Sequence, residues 1–78
     1  MLTPRQIVDA SFLEARHMLL EVAALLDRHD AAVARGNGTA DAAAAEKLAV
    51  LRAALAVLAA EESGGERTVE LLELFARA

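Results

Sequence analysis

The sequence predicts an all-α protein, a long antiparallel helical hairpin followed by a short third helix and forming a four-helix core as a dimer. Three observations lead there. Apolar residues recur at alternating steps of four and three, which is the helical period. Glycine and proline occur only at places that punctuate helices. No run alternates apolar and polar residues as a half-buried strand does.

The first helix starts at Thr3-Pro4-Arg5-Gln6. Thr3 is an N-cap with Gln6 three residues later, and Pro4 stands at the first helical position, where its missing N–H costs nothing. Neither Gly nor Pro follows until Gly36, so the helix spans about 4–34 and ends at Gly36-Asn37-Gly38. Thr39 or Asp41 caps a second helix over about 40–62, which Ser63-Gly64-Gly65 interrupts. Ser63 and Glu66 have the spacing of another capping box, opening a third helix over about 66–77. The three helices make a single domain over 1–78.

On the first helix, Val8, Phe12, Ala15, Leu19, Val22, Leu26, His29 and Val33 form a heptad-like seam. The second helix answers with Ala44, Leu48, Leu51, Leu55, Leu58 and Glu62. Two such seams joined by a Gly-rich turn favour antiparallel packing at a shallow angle. Leu13 and Leu20 lie on another face of the first helix, continued by Ala24 and Ala31. The second helix is apolar over most of its circumference, Val50 and Val57 included, and such helices are commonly buried on more than one side.

One hairpin partner cannot cover this surface. Of 44 apolar residues 20 are Ala, so only 24 large side chains are available to build a core, a modest stock for 78 residues. A second copy is therefore expected, with Leu13, Leu20, Val50, Val57, Leu71 and Phe75 as its interface. The competing reading is that alanine, the best helix former, simply faces water at its many positions.

Composition excludes several classes. With no cysteine there is no disulfide scaffold, thiolate metal site or cysteine nucleophile; this is compatible with a cytoplasmic location. The charge-free stretch Ala53 to Ala60 is far too short for a bilayer span, and Arg5 and Asp9 stand where an export signal would place its apolar run. A net charge of −4, dispersed basic residues and only two aromatics, both Phe, give no basic stripe or stacking platform for nucleic acid. Ser11 and Ser63 are the only serines, and neither lies in a nucleophile turn. The glycine pairs lack the Lys-Ser/Thr context of a phosphate loop.

The candidate chemistry is Glu14-Ala15-Arg16-His17. A Glu-x-x-His pair sets carboxylate and imidazole on one helix face, as in di-iron carboxylate bundles, where two such motifs and two more glutamates surround the metals. In a two-fold dimer each copy would supply Glu14 and His17, with Glu21 or Glu46 as the further carboxylate, for iron or manganese. The competing reading is a solvated or interface-rim Glu–His–Glu array, because these residues lie opposite the main seam. His29, within Asp27-Arg28-His29-Asp30, reads as a side chain bonded to a loop carbonyl near the helix end, in preference to a metal ligand or pH switch.

The run Glu14-Ala15-Arg16, Leu19-Leu20-Glu21, Ala23-Ala24 and Leu26-Asp27-Arg28 resembles a signature of small uncharacterised bacterial all-helical proteins. That resemblance implies no activity. It would make Glu14, Arg16, Glu21, Asp27 and Arg28 an interhelical salt-bridge or binding array. The leading expectation is a non-enzymatic interaction or assembly module without a cofactor, in which exposed Leu and Phe of the third helix meet a protein partner. A carboxylate–histidine metal protein is the second. A third is a short acidic, antitoxin-like partner of a basic protein, suggested by the net −3 that Glu61, Glu62, Glu66, Glu70 and Glu73 give the C-terminal segment with Arg67 and Arg77.

Overall fold

The computed structural model describes residues 1–36, 41–62 and 64–77, all helix, turn or coil without a strand among them. Three helices follow in order: α1 (Pro4–Ala34), α2 (Ala42–Ala59) and α3 (Arg67–Ala76). The chain divides into two units, Met1–Thr39 and Ala40–Ala78.

The first unit is α1 with its ends. Its start is the capping box expected from Thr3 and Gln6: the Thr3 hydroxyl accepts from the Gln6 N–H at 3.1 Å, and the Thr3 N–H donates to Gln6 Oε1 at 2.8 Å. At the far end Arg35 caps the helix, and Gly36 adopts φ +73° while its N–H donates to the Val33 carbonyl at 3.0 Å. This is the inner bond of a Schellman ending, and the left-handed backbone is the reason a glycine stands there. Arg5 and Asp9 form a one-turn ion pair at 3.6 Å on the exposed surface.

The second unit pairs α2 with α3. Asp41 caps α2, its carboxylate accepting from the N–H groups of Ala43 and Ala44 at 3.0 and 3.4 Å. Thr39, the other expected cap, lies outside the described residues. The helix ends at Ala59, short of the expected Glu62. Arg67 gives the reason, because its guanidinium donates to the carbonyls of Ala60 and, at 3.2 Å, Glu61. A cation there satisfies two carbonyls just past the helix end and complements the helix dipole, whereas Glu61 and Glu62 in a last turn would oppose it.

Ser63 lies outside the described residues, and the N-cap of α3 is Glu66, which makes no capping bond through its side chain. Glu70 in the first turn of α3 complements the dipole instead. The two helices pack against each other. Arg67, at the start of α3, bonds carbonyls just past the end of α2, and Phe75, near the end of α3, lines a cavity with Lys47, Val50 and Leu51 toward the start of α2, so they run antiparallel. Ala54 is 7% exposed and is the only buried residue among those described. At about 100° per residue it lies midway between Val50–Leu51 and Val57–Leu58. Arg67, Glu70, Leu71 and Leu74 form the half-buried stripe of α3. An alanine at the centre of the contact lets two helices approach closely.

Candidate functional surface on α1

The surface is built on α1, none of whose residues is buried. On the expected main seam Val22 and Leu26 are half-buried, while Val8, Phe12, Leu19 and Val33 are exposed. On the second face Leu13 is 72% and Leu20 57% exposed, and Ala24 and Ala31 beyond them are exposed as well. Phe12, Ala15, Leu19, Leu20 and Ala23 line a shallow apolar depression, with Arg16 standing between Ala23 and Leu20. A third line, absent from the sequence reading, consists of Ile7, Met18 and Leu25, all exposed. It borders Val22, and the signal that reveals it is its step of seven from Met18 to Leu25. Counted from Ile7 round to Ala23, the apolar arc covers about 160° of the helix at 100° per residue, wider than the stripe a single neighbouring helix requires.

The other expected interface residues fall in the second unit. Val50, Val57 and Leu71 are half-buried and Phe75 is 47% exposed. Val50 and Phe75 line one shallow cavity with Lys47 and Leu51. Leu72, 65% exposed, is the most open large apolar side chain of α3.

The candidate metal ligands follow helix geometry. His17 Nε2 lies 3.2 Å from Glu21 Oε1, one turn on, with both side chains largely in solvent. Glu14 is exposed on the turn before them. Among the described residues no group of three or more His, Asp or Glu converges well enough to hold a metal ion. A single helix offers at most a pair here, and a closed ligand set of the di-iron kind draws on several helices. His29 Nδ1 lies 3.1 Å from Asp30 Oδ1, so this imidazole is paired with the neighbouring carboxylate instead of the expected loop carbonyl. No helix among the described residues is long and apolar enough to cross a membrane.

No protein-family model, curated protein or solved structure matches the chain. Its class is therefore given by its helices alone: among the described residues, an all-helical chain whose first helix carries exposed apolar side chains between its charges.

Proposed function

We propose that the chain is a non-enzymatic protein–protein interaction module that assembles as a homodimer. In this reading α1 lies antiparallel to α2, and the hairpins of two copies close a four-helix core over Leu13, Leu20, Val50 and Val57. The observation that carries it is the exposure of Leu13 and Leu20 in a chain whose described residues bury Ala54 alone. A helix owes most of its stability in a protein to the packing of its apolar face, so a surface this wide favours a covering partner. Leu72 and Phe75 on α3 then remain available for a further protein.

Sedimentation equilibrium at micromolar concentration tests the proposal. The wild-type chain is expected at twice its 8.2 kDa mass, and Leu13→Glu with Leu20→Glu is expected to leave a monomer. A stable wild-type monomer would refute it.

The contact of His17 with Glu21 supports a second reading, a metal site shared by two copies through Glu14, His17 and Glu21. Metal analysis of purified protein decides between the two. Bound iron or manganese that is lost in Glu14→Ala and His17→Ala favours the metal protein, whereas metal-free protein leaves the assembly module.

A further inference from the structure

Resting on the proposed self-association, we infer that the partner of the second α1 face is the same face of a second copy, running antiparallel about a two-fold axis at the level of Val22. The residues of this face are Leu13, His17, Leu20, Ala24, Asp27 and Ala31, spaced by four, three, four, three and four. All six are exposed.

A two-fold interface brings residue i against residue j and, by symmetry, j against i. About Val22 an antiparallel copy sets Leu13 against Ala31 of the second copy, His17 against its Asp27, and Leu20 against its Ala24. Each pairing is complementary. Two join a large side chain to a small one, which lets helices approach closely, and one joins an imidazole to a carboxylate. Because all three occur twice in the dimer, the six positions are used without remainder.

The parallel alternative matches each residue with itself. It sets Asp27 against Asp27 and His17 against His17, and it stacks Leu on Leu while leaving Ala facing Ala. Like charges directly opposed across a helix seam select against that arrangement.

Flanking charges point the same way. Arg16 lies on the same flank as Asp27, and same-flank residues meet across an antiparallel pair. Arg16 is within one residue of the position opposite Asp27 of the second copy. Among the described residues Arg16 and Asp27 have no charged partner, unlike Arg5 and Asp9, and no opposite charge stands one turn away on their own helix. His17 keeps Glu21 beside it at 3.2 Å, so the imidazole would lie between a carboxylate of its own helix and one of the second copy.

The absence of cysteine permits a direct test. A chain carrying Leu13→Cys and Ala31→Cys is oxidised and digested with trypsin, which cuts after Arg16, Arg28 and Arg35 and so separates the two positions. The expected product joins position 13 to position 31. These positions lie roughly 27 Å apart along one helix at 1.5 Å per residue, so that link can form only between copies. Links of 13 to 13 and 31 to 31 would overturn the antiparallel register.

Charge exchange read by sedimentation equilibrium supplies an independent measurement. His17→Glu alone opposes two carboxylate pairs and is expected to weaken the dimer about tenfold, while adding Asp27→Lys restores it to within about threefold. Absence of that rescue, together with absence of the 13–31 link, in a chain that still sediments as a dimer would refute the register and leave self-association standing. A wild-type monomer would refute both.

Discussion

At the scale of single residues, conformation and close approach decide more than polarity does. Gly36 holds a left-handed φ of +73°, and a Cβ built there meets nothing within 4 Å. Gly36→Ala should therefore act through backbone strain alone, costing about 1 kcal/mol in the stability of the end of α1. A chemical-denaturation curve unchanged by Gly36→Ala would show that this ending contributes nothing. Ala54 illustrates the other constraint. It is the most enclosed residue described, at the middle of the α2 stripe that meets α3. Ala54→Leu should overpack the contact and cost about 1–3 kcal/mol, read as a lower denaturation midpoint, even though a count of apolar residues would score it as an improvement. Both positions were visible in the sequence, but only Gly36 announced its role there: a glycine after a long helical pattern has few alternative explanations, whereas Ala54 is one alanine among many.

At the scale of elements, the ends of the helices separate what local chemistry dictates from what a distant residue decides. The start of α1 follows from Thr3, Pro4 and Gln6, which lie within one turn of each other. The start of α2 follows from Asp41 in the same way. The end of α2 does not. Beyond the unfavourable placement of Glu61 and Glu62 in a last turn, it involves Arg67, from the beginning of the next helix, through carbonyls six and seven residues back. Arg67→Ala should loosen the α2–α3 pair by about 1–2 kcal/mol, since hydrogen bonds from a charged donor exceed neutral ones. Arg67→Lys should recover most of this, because both bonds come from one nitrogen, Nη2, and an ammonium also carries several donors on a single nitrogen. Hydrogen exchange of the last turn of α2 is the measurement. Equal protection in wild type and Arg67→Ala would remove Arg67 from this role.

At the scale of the whole molecule, the exposed apolar side chains of α1 matter most, and the proposed self-association would tie stability to concentration. If dimerisation covers α1, the thermal midpoint must rise with protein concentration by mass action. The expected outcome is an increase of several degrees between low and high micromolar protein, measured by circular dichroism. A midpoint independent of concentration would argue against an obligate assembly. The candidate residues were legible to different degrees for a physical reason. Leu13 and Leu20 were recognisable as one line because period fixes the face on which a helical residue stands, but their exposure is not in the period, since Phe12 and Leu19 on the main seam are exposed to the same degree. Val50 and Phe75 were equally apolar, but their lining of one cavity with Leu51 depends on how α3 folds back on α2, which period does not contain.

What the sequence alone determined is the local structure: three helices without a strand, the caps at Thr3 and Asp41, the glycine ending of α1, and the adjacency of His17 and Glu21. Each depends on interactions spanning only a turn or two of chain, where residue type and spacing are sufficient. The tertiary structure decided the rest: that Ala54 is the residue enclosed where α2 meets α3, that Arg67 binds the carbonyls just past α2, and that Leu13 and Leu20 stand in solvent. Those outcomes depend on which surfaces meet through space, and apolar attraction has no direction of its own, so many pairings of the same greasy faces are compatible with one pattern until packing selects among them.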